Sequence, residues 1–246
     1  MKKLILISLL LLPFTGNVFA SGGGVHLDHA PVDVSNKASL QRGAKYFVNY
    51  CLGCHSTKYS RYSRVGEDLG LTTLQVEDNF IFTGAKVRDQ MKIALRDKEA
   101  RHWFGTAAPD LSLVARAKGT DWIYTYLRSF YLDDSRPFGV NNLVLKNASM
   151  PHVLWELQGW QKAVYKEGVE TAAGDPVLDH LELDGSGQLT AKQYDKVALD
   201  IVNFLAYVGE PAQLQRKQLG LWVLAFLVVF FVVAYMLKKE YWKDIH

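Results

Sequence analysis

The stretch CLGCH, residues 51–55, contains both cysteines of the chain, two residues apart, with a histidine directly behind them. Thiols at this spacing serve a redox disulfide, half of a metal site, or covalent attachment of haem. A thioredoxin-like disulfide needs a βαβ pattern around the motif, and the sequence has none there. A structural zinc site normally takes four Cys or His ligands, more than Cys51, Cys54 and His55 supply. A plain disulfide stays open for an exported chain.

Cys-x-x-Cys-His is also the attachment signature of c-type haem, and its spacing has a mechanical reason. We expect the thiols of Cys51 and Cys54 to add to the two vinyl groups on one edge of the porphyrin. The adjacent His55 is then held beneath the iron as the proximal axial ligand. The sequence therefore predicts one haem c, covalently bound through both cysteines.

A second axial ligand is expected from the protein, because electron-transfer haems usually have both axial positions filled. Met91 lies in DQMKIALRD beside apolar residues and is interpreted as a helix-face or core methionine. Pro151 favours an extended backbone at Met150, which would place that thioether on a stiff loop. His152 is its rival and would give a lower potential. The residues alone leave this choice open, and the exported part also contains His26, His29, His102 and His180.

Two helices are predicted to position the motif. Leu40, Gly43, Phe47 and Tyr50 recur at helical spacing directly before it. Thr190 and Gln193 form a capping box that begins a second helix, and we expect that helix to cross the first at Gly43. A core helix is predicted over 121–133 and a long loop over 56–80.

Both ends of the chain carry membrane signals. Lys2 and Lys3 precede a short apolar stretch and the small-residue pattern ending at Ala20, which is typical of a cleaved signal peptide. The uncharged run from Leu219 to Leu237 is long enough, at about 1.5 Å per residue, to match a hydrocarbon core of roughly 30 Å.

These signals predict four segments: a signal peptide over 1–20, a periplasmic haem domain over 21–214, a transmembrane anchor over 215–239 and a cytoplasmic tail over 240–246. The chain would then cross a bacterial inner membrane once. Its formal net charge is +3, but the exported part is slightly acidic once the lysines and arginine of the leader and anchor are set aside. This balance excludes a basic nucleic-acid footprint, so no nucleic-acid partner is expected.

Four stretches, in order, resemble the cytochrome c1 family, the haem c subunits of ubiquinol–cytochrome c reductase (complex III). They are CLGCH, APDLS at 108–112, MPHVLW at 150–155, and VNFLAYVGEP at 202–211 before a single anchor. The resemblance covers nearly all of the mature chain. It implies a mainly α fold, a cytochrome c-like haem domain with long loop insertions and one C-terminal transmembrane helix. It also implies Met150 as the distal iron ligand and places Pro109 and Leu111 near the haem.

The same resemblance implies an electron relay. The haem would take an electron from a Rieske iron–sulfur protein and pass it to a soluble c-type cytochrome, while cytochrome b holds the quinol site and packs against the anchor. Such a chain has no substrate-binding catalytic site of its own. The acidic pairs Glu67-Asp68, Glu77-Asp78 and Asp133-Asp134 are interpreted as surfaces that steer a basic acceptor, or as ordinary solvated surface.

The chain departs from the family pattern at two positions. Ala108 stands where the family often has the first of two prolines, and Lys118 aligns with an arginine that reaches a haem propionate. Arg116 is the other cation for that role, and the choice stays open. Two further functions remain as alternatives: a free-standing, membrane-tethered cytochrome c, and a haem enzyme with an open sixth position.

Overall fold

The computed structural model describes residues 25–170 and 176–243, so the predicted signal peptide lies outside it. Helices dominate, as the sequence predicts. They are α1 (Lys37–Tyr46), α2 (Tyr62–Leu69), α3 (Thr73–Phe80), α4 (Asp97–Phe104), α5 (Val114–Lys118), α6 (Thr120–Arg128), α7 (Trp155–Gln158), α8 (Ala191–Gly209) and α9 (Gln213–Tyr241). The strands are β1 (Thr57–Arg61), β2 (Gln90–Met91), β3 (Phe130–Leu132), β4 (Val140–Asn142), β5 (Gln161–Glu170) and β6 (Pro176–Leu183), paired antiparallel as β1–β2, β3–β4 and β5–β6.

The centre of the domain is the crossing of α1 on α8, which confirms the predicted role of Gly43. A Cβ atom built at Gly43 would lie 1.9 Å from the carbonyl oxygen of Asp200 and 2.9 Å from the Cβ of Phe204. Only a hydrogen atom fits there. The capping box of Thr190 and Gln193 starts α8, also as predicted. Helices α5 and α6 pack against α8 as well, so α8 is the support for most of the core.

A buried polar cluster fixes the register of this crossing. The Asp200 side chain, 5% exposed, accepts hydrogen bonds from Arg42 Nε and Ser39 Oγ, each at 2.6 Å. Asn203 Nδ2 donates to the Ser39 hydroxyl at 2.8 Å. A buried carboxylate is tolerated when its oxygens are paired in this way, whereas removing one partner leaves an uncompensated charge. Sliding α1 along α8 would break all three bonds. They therefore fix the position of the C-terminal end of α1 relative to α8.

Gly43→Ala is expected to destabilise the domain by about 3 kcal/mol, because the new methyl group meets helix backbone that can only move away as a unit. Thermal unfolding in detergent measures the change. Gly84→Ala is the matched control, since a Cβ at Gly84 meets nothing within 4 Å. Equal melting temperatures for the two variants would show that the α1–α8 contact is looser than the structure has it.

The prediction of a long loop over 56–80 is wrong, because β1, α2 and α3 occupy this segment. Its polar composition hides an amphipathic pattern in which Val65, Leu69 and Val76 are buried while their neighbours face solvent. A capping box between Thr72 and Gln75 begins α3. The same segment therefore gives the motif a firm support rather than a flexible flank.

Two other predictions on local structure need correction. Met91 is a fully buried core residue, as expected, but it lies on the short strand β2 opposite Thr57 and not on a helix. The core helix predicted over 121–133 ends at Arg128 and is followed by β3. In both places local apolar spacing was interpreted as helical although chain pairing produces a strand.

The last helix, α9, is long and apolar enough to cross a membrane. Its 29 residues span about 43 Å at 1.5 Å per residue, and none of its apolar stretch is buried within the chain. Large apolar side chains exposed on all sides of one helix suit a lipid environment.

Candidate haem site

The CLGCH stretch forms a tight turn at the end of α1. The helix continues through one π-helical turn, Phe47–Cys51, of a kind that is frequent at functional sites. The carbonyl oxygen of Cys51 then accepts hydrogen bonds from the amides of Cys54 at 3.0 Å and His55 at 2.8 Å. Cys51 is buried and Cys54 is exposed. One turn therefore presents both thiols and the imidazole from a base that is part of the core.

Burial determines the chemistry of Cys51. It raises the pKa of this thiol to about 12, with a further increase from the neighbouring Cys54. A buried thiol with a raised pKa is a poor redox nucleophile. The described residues therefore do not support a thioredoxin-like role for the pair, in agreement with the missing βαβ pattern.

His55 is oriented by the backbone of the APDLS stretch. Its Nδ1 lies 2.7 Å from the carbonyl oxygen of Pro109, which can only accept, so Nδ1 carries the proton. Burial lowers the pKa of His55, although the Pro109 carbonyl opposes this, and the ring is neutral at neutral pH. The lone pair of Nε2 is then available to a metal, the usual arrangement of a ligating histidine.

Pro109 and Leu111 are brought to His55 by main-chain bonds. The amide of Leu111 donates to the carbonyl oxygen of Ser56 at 2.8 Å, directly after the motif. Pro109 contributes its carbonyl oxygen. The sequence resemblance placed both residues near the haem without indicating these backbone contacts.

Asp110 locks this arrangement and was not identified from the sequence. Its carboxylate accepts hydrogen bonds from the amides of Lys58 at 2.9 Å and Ser112 at 3.0 Å. Burial acts to raise the pKa of Asp110, but these bonds outweigh it and the pKa is lowered. The signal was present as Asp-x-Ser, a common side-chain-to-backbone turn.

Met150 lies on an irregular segment after β4, as its proline neighbour predicts. It is half-buried against the hydrophobic core. Upstream, Asn147 has a positive φ of 62° and donates its amide to Asn141 Oδ1 at 2.8 Å. Asn142 Oδ1 accepts from the amides of Val144 and Leu145. Buried asparagines therefore hold the loop that carries the thioether.

His152 is packed as a core residue. It is 4% exposed, its ring stacks on Phe130 at 5.1 Å, and it meets the edge of Trp160 at 5.9 Å. Burial lowers its pKa to about 4, so it is neutral. Its Nε2 is buried and has no hydrogen-bond partner among the described residues. Turning the ring out would break both aromatic contacts, so the packing favours Met150 as the ligand.

Arg116 and Lys118, the two cations that could pair with a haem propionate, have different neighbours. Arg116 Nη1 lies 3.2 Å from Glu210, which also pairs with Arg216. Lys118 Nζ lies 5.5 Å from the ring centre of Trp122 and has no carboxylate partner within 25–170 and 176–243. Arg116 therefore shares one carboxylate with Arg216 just before α9, whereas Lys118 has no such partner among these residues.

The donor set suits a haem. An imidazole with a free Nε2, two thiols on one turn and a thioether on a braced loop are the groups that c-type attachment and axial ligation require. Stacked aromatic rings of Trp122 and Tyr126, 5.0 Å apart, pack on the edge of Phe130 in the same core. The fold and the site thus define a class, that of haem-binding electron-transfer domains of the cytochrome c type carried on one apolar helix.

Comparison with known proteins identifies the family. The model of the Cytochrome C1 family matches residues 28–245. The chain is 51% identical to "Cytochrome c1" of Allochromatium vinosum over 100% of both chains, and 30% identical to "Cytochrome c1" of Rhodospirillum rubrum over 85% of this chain and 83% of the relative. It is 45% identical to the "Ammonia monooxygenase gamma subunit" of Nitrosomonas europaea over 100% of this chain and 99% of the relative. The chain belongs to the cytochrome c1 family, which supports a membrane-anchored haem subunit for electron transfer in complex III.

Proposed function

We propose that this chain binds one haem c covalently through Cys51 and Cys54, with His55 and Met150 as the axial ligands. The observation that carries the proposal is the bond from His55 Nδ1 to the Pro109 carbonyl, which directs the free Nε2 away from the backbone. When bound, the haem supplies one-electron chemistry between its ferrous and ferric states. Met and His ligation places its potential toward the high end of the range.

The residues of the chain itself hold the CLGCH motif in place and orient the imidazole of His55. Asp110 and Ser56 fix the APDLS stretch against the motif, and that stretch holds the imidazole. The core shields the Cys51 side, while Cys54 faces solvent. A haem held by both thiols would then be open to a protein partner from the side of Cys54.

The relay we propose takes an electron from a Rieske iron–sulfur protein and gives it to a soluble c-type cytochrome, with cytochrome b packed against α9. Of the acidic pairs that were predicted to steer an acceptor, only Glu77-Asp78 is wholly exposed and without an ion pair among the described residues. Asp68 pairs with Arg64 and accepts from Tyr207, and Asp133 accepts from Ser135 and Asn141. Glu77-Asp78 is therefore the first surface to test for acceptor docking.

A reduced-minus-oxidised spectrum of the tagged chain, gently solubilised from its own membranes, tests this function. We expect a c-type band together with b-type bands, because cytochrome b should travel with the chain. A c-type band alone in several mild detergents would favour a free-standing tethered cytochrome. Co-purification with monooxygenase subunits would instead assign to this chain the role in the name of its Nitrosomonas relative. No c-type band would overturn the haem assignment.

The orientation we propose is a haem domain outside the inner membrane and a short cytoplasmic tail. Two features support it: the predicted signal at 1–20, which would export the residues after it, and α9, the one helix within 25–170 and 176–243 that is long and apolar enough to span a membrane. A green fluorescent protein fused to the C-terminus is expected to fluoresce, while alkaline phosphatase at the same place stays inactive. The opposite pair of results would invert the topology.

A further inference from the structure

A cavity of about 180 Å³ lies between the two segments that lead to the proposed axial ligands. On one side are Trp103 and Phe104, shortly before Pro109, whose carbonyl binds His55. On the other side are Ala148 and Ser149, directly before Met150. The cavity is far larger than the roughly 10–15 Å³ that a single water requires. Its lining residues place it next to both segments that would carry the axial ligands.

The one charged side chain that lines this cavity is that of Arg136. Its Nη2 donates to the carbonyl oxygen of Asn147 at 3.2 Å, which leaves the other nitrogens free. Nε is buried and has no hydrogen-bond partner within the described part of the chain. No carboxylate of that part lies within ion-pair distance of Arg136 either. Buried donors are nearly always paired, and a buried donor on a charged group has the strongest need for an acceptor.

Three aromatic side chains, Trp103, Phe104 and Phe138, also line the cavity. The rings of Phe104 and Phe138 lie 6.1 Å apart, and Pro137 closes the space between Arg136 and Phe138. Trp103 is 62% exposed and Phe138 37% exposed, so both rings are accessible from solvent. One unpaired cation in an aromatic wall recognises a ligand that has a flat apolar body and a carboxylate.

We propose that Arg136 is a positioning residue for the haem, with its guanidinium donating to the carboxylate of one propionate. This inference rests on the proposed haem attachment. The porphyrin edge offers the two features that the cavity recognises, an apolar macrocycle and a carboxylate on a short chain. A haem carries two propionates, so Lys118 remains available for the second. The positive charge of Arg136 then favours the ferrous state and raises the midpoint potential.

Redox titration of the purified chain, followed at the c-type band, tests the proposal with Arg136→Gln. Glutamine is two bonds shorter than the arm that reaches Asn147, so this variant loses both the charge and that bond. At a fixed ambient potential we expect the ferrous-to-ferric ratio to fall about tenfold, which is 59 mV for a one-electron couple. Arg136→Lys restores the charge without the planar fork and is expected to recover most of the shift.

Lys146→Gln is the matched control, because it removes one exposed cation from the same loop, four residues before Met150. A shift in Arg136→Gln no larger than in Lys146→Gln would overturn the proposal. So would a wild-type potential that changes with acetate concentration at constant ionic strength, because the guanidinium would then bind a free carboxylate. Failure of the haem assignment itself looks different, since the wild-type protein would then lack a c-type spectrum.

Discussion

Met150→Leu is expected to lower the midpoint potential of the haem by on the order of 0.2 V, a fraction of the roughly 0.8 V over which axial ligands tune haem iron. The thioether stabilises ferrous iron, and leucine has no donor atom to replace it. The long-wavelength band that sulfur ligation gives ferric haem should disappear, and carbon monoxide should bind the reduced iron. Optical redox titration and a carbon monoxide difference spectrum measure both effects.

Met91→Leu is the control for this substitution. Met91 is fully buried in the core, so the same change tests packing alone, and a swap of similar volume costs less than about 1.5 kcal/mol. Its potential and sulfur band should match the wild type. If His152 were the ligand instead, Met150→Leu would leave the iron six-coordinate and closed to carbon monoxide. In that case His152→Leu, and not Met150→Leu, would open the reduced iron to carbon monoxide.

Replacing both Cys51 and Cys54 with serine is expected to abolish the haem that stays attached to the chain after denaturation. These are the only cysteines in the chain, so no other thioether bond can form. Haem staining of the chain on a denaturing gel, together with its intact mass, measures the loss. Staining that persists in the double variant would contradict covalent attachment at this motif.

The single variants should differ, because the two thiols lie in different surroundings. Cys54 is exposed, and Cys54→Ser should change stability little. Cys51 is buried beside core residues, so Cys51→Ser places a hydroxyl where it has to find a partner, at a cost of about 1–3 kcal/mol. Each single variant should keep one thioether bond and a weaker stain. A disulfide without haem would instead give an unstained wild-type chain whose two thiols become free only after reduction.

Several features could be predicted from the sequence because they depend on residues close together in the chain. The Cys-x-x-Cys-His spacing, the capping box at Thr190 and the uncharged run in α9 are local patterns with local physical causes. Gly43 was also informative, because a glycine on a helical face permits a close crossing. Asp200, which Gly43 meets at that crossing, is far away in the sequence. Its helix could still be predicted from the spacing of apolar residues.

Other features could not be predicted from local patterns. The strand assignment of Met91 depends on pairing with Thr57, and the helices within 56–80 depend on which of their faces the core covers. The polar composition of that segment predicts a loop until its buried positions are known. These errors share a cause: short segments take their structure from tertiary contacts more than from propensity.

The sequence by itself determined the family resemblance, the mainly helical class, the anchor and the residue types suited to haem, because motif spacing and hydrophobic length are properties of the chain. Only the tertiary structure decided how those residues are held. It placed the Pro109 carbonyl on His55 Nδ1, buried His152 between Phe130 and Trp160, and put Arg136 and Ser149 on the wall of one cavity. The contacts of His55 with Pro109 and of Phe130 with His152 join segments distant in sequence, and such contacts exist only once the core has brought the segments together.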